Sequence, residues 1–133
     1  MIKFYPILPV PKPRMTRQDK WKKRGCVMQY RAFADEVRAR GVRLPEAYHV
    51  VFILPMPKSW PKKKRVEMCG KPHQQTPDKD NMEKALLDAL YGNDAHVWDG
   101  RCSKIWGRTG GLVVGSCIDS NSVFTAANEF SEG

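Results

Sequence analysis

Asp78, Asp80, Lys84 and Asp94 are the residues of this chain best suited to chemistry. The first three lie in the run TPDKDNMEKALLDAL, residues 76–90, and Asp94 follows shortly after it. Three carboxylates and an ammonium this close in sequence suit a hard cation and a phosphate. Phosphodiester hydrolysis needs a nucleophilic water, a Lewis acid on the phosphate and neutralisation of the charge that builds in the transition state. Mg²⁺ held by a few carboxylates and left partly hydrated meets all three needs. Alternate side chains of an extended segment point to one side, so Asp78 and Asp80 can face one ion. Asp94 closes the site if the chain doubles back beyond the helix. Lys84 is no cation ligand; it is placed to orient a carboxylate, hold the scissile phosphate or stabilise developing charge.

Plainer roles are open to the same residues. Asp80 is a good helix N-cap, with Glu83 three positions on as in a capping box, and a capping aspartate can also bind metal. Lys84 and Asp88 are spaced for a surface ion pair worth roughly 0.3 kcal/mol. A D-x-D pair alone is shared with glycosyl- and nucleotidyltransferases. His49, His73 and His96 show no ligand spacing, and Asp99 beside Gly100 suits a solvent-facing position.

The surroundings of this acidic cluster are basic. The chain has 133 residues and a formal charge of +9, a balance that attracts polyanions, with nucleic acid the default partner. Of its 23 lysines and arginines, 13 fall in residues 12–24 and 58–71. Lys12, Arg14, Arg17, Lys20, Lys22, Lys23 and Arg24 lie in the first segment, and Lys62, Lys63, Lys64 and Arg65 in the second. Each segment has a tryptophan, Trp21 or Trp60, suited either to stacking on bases or to anchoring its loop on the core. An acidic cluster within a basic chain points to an enzyme that cuts nucleic acid. Cys26, Cys69, Cys102 and Cys117 are too scattered for a zinc knuckle. With no secretory signal pattern and no apolar span of membrane length, a cytoplasmic protein with reduced thiols and no membrane partner is expected.

The elements that must position the cluster are those of one α/β (α+β) domain, residues 1–118, with a polar, loosely ordered tail over 119–133. The pattern predicts a small mixed β-sheet flanked by two helices. Residues 2–8 read as an edge strand broken at Pro6, and 9–25 as a basic arm. Val27, Tyr30, Ala34 and Val37 give an apolar face to a helix over 27–40, stopped by Gly41. Residues 48–55 form an apolar strand closed by proline, and 56–75 a second basic loop. The helix over 81–90 has Met82, Ala85, Leu86, Ala89 and Leu90 on one side. Leu87 and Tyr91 lie on the other, so a second subunit is expected to cover that side in a homodimer. Strands over 96–106 and 111–118 follow, with a glycine-rich turn over 107–111.

The run P-D-x-D-N-x-x-K-x-x-x-D-A-L at Pro77–Leu90, D-A-H-V at Asp94–Val97 and the lysine at Lys104 resemble the RusA-type Holliday junction resolvases. The early K-P-R (Lys12, Pro13, Arg14) and the Tyr30 helix are similar too, and the likeness spans residues 1–106. The resemblance implies essential carboxylates at Asp78, Asp80 and Asp94, an essential lysine at Lys84, and Lys104 among the DNA-binding residues. It implies a homodimeric endonuclease dependent on Mg²⁺, with Mn²⁺ as substitute. Such an enzyme makes paired nicks across a four-way junction and leaves ligatable 5′-phosphate ends. A phage or prophage setting fits the family. Two departures stand out. The link Tyr91-Gly92-Asn93 is shorter than in many relatives, and Asn93 stands where the family often has another acid. The first bears on where Asp94 can reach.

A non-catalytic branched-DNA- or RNA-binding protein of the same fold is the main alternative. It has no need of clustered carboxylates, which repel DNA. A PD-(D/E)xK nuclease needs acid-x-lysine on a strand, whereas Glu83 and Lys84 are adjacent on a helix. A nucleotidyltransferase needs a glycine-serine phosphate loop, which this sequence lacks.

Overall fold

The computed structural model describes residues 2–13 and 25–116. Arg14, Arg17, Lys20, Trp21, Lys22, Lys23 and Arg24 of the basic arm lie outside the described residues, as do Cys117 and the tail over 119–133.

The centre is β2 (Ala47–Pro55), in which every residue from Tyr48 to Leu54 is buried. Such a run needs cover on both faces of the sheet. Tyr48, Val50, Phe52 and Leu54 alternate onto the helix-covered face, while Val51 and Ile53 meet Val113 on the other. β3 (Asp99–Gly107) lies parallel to β2 on one side, and β4 (Gly111–Gly115) antiparallel on the other. β1 (Lys3–Tyr5) pairs antiparallel with β4, giving a four-stranded mixed sheet in the order β1-β4-β2-β3.

A parallel β2–β3 pair requires a crossover. That connection holds α2 (Lys62–Met68) and α3 (Lys79–Leu90). α3 buries Met82, Ala85, Leu86, Leu87 and Ala89, and packs on α1 (Gly25–Ala39), which buries Val27, Phe33, Ala34 and Val37. α1 ends at Gly41, whose φ of +66° is readily adopted only by glycine. The Gly41 N–H donates to the Arg38 carbonyl at 3.1 Å and the Val42 N–H to the Val37 carbonyl at 3.2 Å, a Schellman cap. Arg38 Nε donates to the Ala89 carbonyl at 2.8 Å, so α1 also satisfies an open carbonyl of the last turn of α3.

The mixed sheet and the α+β class agree with the sequence reading; the helix count does not, because the described residues form three. α2 falls in the segment read as a loop. It buries none of its residues, so no apolar periodicity marks it. β3 starts at Asp99 rather than 96, and β1 is only three residues long. The two-sided apolar character of α3 is also explained within one protomer. Leu87 is buried in the main core and Tyr91 packs against it, because α3 packs against both α1 and β3. The expectation that a second subunit covers Leu87 therefore loses its basis. Among the described residues, no helix is long and apolar enough to cross a membrane.

Candidate active site

Asp78 is the N-cap of α3, with extended backbone at φ −70° and ψ 144°, and its carbonyl accepts the Met82 N–H at 3.2 Å. Asp80 is therefore not the cap. It sits inside the first helical turn, where its Oδ1 accepts the Asn81 N–H at 3.0 Å. The period-two argument for Asp78 and Asp80 fails for the same reason, since only Asp78 is extended. Both carboxylates are nevertheless exposed at one helix end, where the helix dipole favours negative charge. Asp78 forms no side-chain cap hydrogen bond, which leaves its oxygens open to a ligand.

The capping box is absent too. With Asp78 as cap, the third helical position is Asn81, and Glu83 lies beyond it. Glu83 Oε2 instead accepts the Tyr48 hydroxyl at 2.5 Å and the Cys102 thiol at 3.2 Å, joining α3 to β2 and β3. Burial, reinforced by the Glu83 carboxylate, pushes the Tyr48 phenol and the Cys102 thiol well above their ordinary ranges.

Lys84, one turn beyond Asp80, is exposed. Its supposed partner Asp88 is taken by Lys12, whose Nζ forms a short charged hydrogen bond to Asp88 Oδ2. The Lys12 N–H also donates to the Asn81 carbonyl at 3.2 Å. The segment expected to contact DNA through Lys12 is thus laid along α3. The Asp88 hydrogen bond chiefly, with Asp88 and Asp94 charge behind it, holds the Lys12 ammonium above the usual lysine range.

Asp94 lies in the loop after α3 and is exposed. Its carbonyl accepts the Val97 N–H at 2.9 Å, and Asn93 Oδ1 accepts the Ala95 N–H at 2.9 Å, so the loop is a folded turn. Asp94 does not join Asp78 and Asp80. Among the described residues, no three His, Cys, Asp or Glu side chains are grouped to hold one metal ion. The cause is the spacing: a helix of 12 residues is about 18 Å long, and the Tyr91-Gly92-Asn93 link does not carry the chain back along it. Asp78 and Asp80 leave two carboxylates exposed at the head of α3. That fits Mg²⁺, which keeps several waters and takes its other ligands from phosphate.

What delivers Asp78 to the helix is the outer edge of β3. Gly70 N–H donates to the Trp106 carbonyl at 2.7 Å, Trp106 N–H to Lys71 at 3.0 Å, and His73 N–H to Lys104 at 3.0 Å. Pro72 bridges Ile105 in the same antiparallel sense. Lys104 Nζ then donates to the Gln75 carbonyl at 2.6 Å and the Pro77 carbonyl at 2.8 Å. Expected among the DNA contacts, Lys104 instead fixes the chain leading into Asp78. Sequence reasoning missed this role because nothing in the spacing brings residues 75–77 to a strand residue so far downstream. Lys104→Met is expected to lower any divalent-metal affinity of the Asp78–Asp80 end about tenfold or more, by analogy with lost outer-shell partners, with the core intact. Isothermal titration of Mn²⁺ checks this; unchanged affinity rejects the positioning role.

The same segment carries His73, buried with its ring centroid 4.1 Å from that of Trp106. Burial first, then the Lys104 charge, holds its pKa below the ordinary histidine value; burial and Arg101 do the same for His49. Below about pH 6.5 the unfolded chain binds protons at these sites that the folded chain resists, so stability falls as pH falls. Urea midpoints are expected to drop between pH 7.5 and 5.5, with a shallower slope in the His49→Gln/His73→Phe variant.

Of the second basic segment, Lys62, Lys63 and Lys64 stand exposed on α2. Arg65 is half-buried, with its Nε shielded from solvent and unpartnered, so it is only partly available to DNA. Trp60 is an anchor: its ring lies 4.8 Å from that of Trp106, with Lys64 Nζ 4.2 Å above it.

The family profile described as Endodeoxyribonuclease RusA matches residues 5–115. The match runs through β4, well past residue 106. Among curated proteins, no sequence matches the chain.

Proposed function

Because the chain belongs to the RusA endodeoxyribonuclease family, we propose that it resolves four-way DNA junctions by paired nicking, as a metal-dependent homodimer. The observation that carries this reading is the exposed Asp78–Asp80 pair at the head of α3, set in a chain of charge +9. Lys62, Lys63 and Lys64, with the basic residues over 14–24, would gather the polyanion. Asp78 and Asp80 would hold Mg²⁺, with Mn²⁺ as substitute, while Asp94, on the loop beyond α3, would act on the DNA apart from that pair. When bound, the ion lowers the pKa of its water and polarises the phosphate. Lys84, one helical turn from Asp80, would neutralise charge on the phosphate as the bond breaks. Two such sites related by a two-fold axis match the approximate symmetry of a junction.

A binding-only reading is favoured by one observation, the failure of Asp94 to join the other two acids. One experiment separates the readings: a synthetic four-way junction incubated with the purified protein and Mg²⁺, with products mapped at nucleotide resolution. Symmetric nicks with ligatable ends support resolution. Binding without nicks under either Mg²⁺ or Mn²⁺ leaves the binding-only protein.

A further inference from the structure

A cavity of about 300 Å³ opens between the loop that follows α1, the end of α3 and the turn that carries Asp94. Its walls are unusually aromatic: Tyr48, Tyr91, His96 and Trp98 all line it, above Leu44. Tyr91 and His96 meet edge to face, with centroids 4.7 Å apart and planes at 84°. Trp98 is 71 % exposed, yet it is not loose, because its Nε1 donates to Glu46 Oε1 at 3.1 Å. An exposed indole fixed in place before any ligand arrives is a preorganised contact surface. It contributes no burial to the core.

We propose that this cavity is a subsite for a single unstacked nucleobase of the bound DNA, a reading that rests on the nuclease function above. Aromatic faces stack on any base, and a +9 chain brings a polyanion rather than an apolar ligand to the opening. The volume lies at the small end of ligand sites and suits one ring system rather than a base pair. Glu46, on the rim, offers a carboxylate acceptor to an exocyclic amine. The turn closed by Val97 N–H on the Asp94 carbonyl carries Asp94 and His96 together, so a base seated here belongs to DNA lying over that acid. Asp94 then has work to do at a distance from Asp78: it meets the strand whose base the cavity holds.

The test uses the full-length chain without divalent metal, and two DNA probes. One is a four-way junction with 2-aminopurine beside the crossover, the other a single-stranded oligonucleotide with the same substitution. Wild type is expected to quench the 2-aminopurine emission on binding. Trp98→Ala should relieve the quench and weaken binding about tenfold, and Trp98→Phe should restore most of both. Since Trp98 is largely exposed, an unchanged unfolding midpoint is expected for either variant. Equal quench and affinity in Trp98→Ala and wild type overturn the subsite. So does a variant that changes only self-association in sedimentation, which marks the cavity as a protein contact. If the junction is not bound but the single strand shows the Trp98-dependent quench, the base site stands and the resolvase reading fails. If neither DNA is bound, both fail.

Discussion

Asp80→Asn is expected to lower the nicking rate by about 10³-fold or more while leaving junction binding within a few-fold of wild type. The substitution is close to isosteric. An amide oxygen can still accept the Asn81 N–H that Asp80 Oδ1 holds at 3.0 Å, so the first turn of α3 keeps its local bond. What is lost is one of the two carboxylates on which the proposed metal role draws at this helix end. A bound ion stabilises transition-state charge by several kcal/mol, about three orders of magnitude in rate. Affinity follows the other sign, because removing a carboxylate from a DNA-facing surface removes repulsion. Some helix stability is also lost, about 0.5 kcal/mol, from the dipole interaction. Lys84→Ala, by the same logic, is expected to slow nicking about 10²-fold or more. Single-turnover cleavage beside gel-shift titration measures both quantities. Asp80→Asn cutting at the wild-type rate removes the metal role given to this end of α3, and Lys84→Ala doing so removes the phosphate role of that lysine.

Gly100→Ala is expected to cost about 3 kcal/mol of stability, the sum of overpacking and a lost, partly buried hydrogen bond to a carboxylate. Gly100 stands opposite Tyr48 in the parallel β2–β3 register, and the phenol ring lies directly over it. A Cβ at Gly100 would be 2.1 Å from Tyr48 Cζ and 2.5 Å from both Cε atoms. The ring must move, and when it moves its hydroxyl leaves Glu83, to which it donates at 2.5 Å. Urea unfolding of Gly100→Ala alone and in a Tyr48→Ala background checks the cause. With the ring gone, the alanine should cost less than about 1 kcal/mol, because nothing remains to displace. An equal cost in both backgrounds points away from the clash.

How much of this was legible in the sequence depends on whether a residue's role is local. β2 was legible because seven consecutive buried positions leave an apolar run that nothing else explains. α3 was legible from Met82, Ala85, Leu86 and Ala89 on one face. α2 was not, because a helix that buries nothing leaves no period to read. The head of α3 was misplaced by two residues. Asp78 and Asp80 are both good caps, and the choice was decided by how residues 70–77 are held on β3. Glu83 looked like half of a capping box because its tertiary partners, Tyr48 and Cys102, come from other strands. Lys12 and Lys104 looked like surface cations for a similar reason: Asp88 and the carbonyls of Gln75 and Pro77 are remote in sequence. The types and spacing of the acidic residues marked them as candidates, but not that Asp78 caps α3 while Asp80 lies in its first turn. The separation of Asp94 from the other two was foreshadowed by the short link after Leu90, since a chain that turns at once into the next strand has no length with which to return.

The outer edge of β3 has a further meaning for how this molecule keeps to itself in a crowded solution. An open strand edge invites a stranger's strand to dock, the first step towards sheet-on-sheet aggregation. Here the stretch from Lys104 to Trp106 is closed by residues 70–73, and the opposite edge of the sheet ends in β1, too short at three residues to template much. The chain that introduces the acidic residues is therefore also a guard rail. A lesion that peels it away uncovers a sticky edge at the same moment that it disorganises the site, so damage there should show first as precipitation and only afterwards as a weak enzyme.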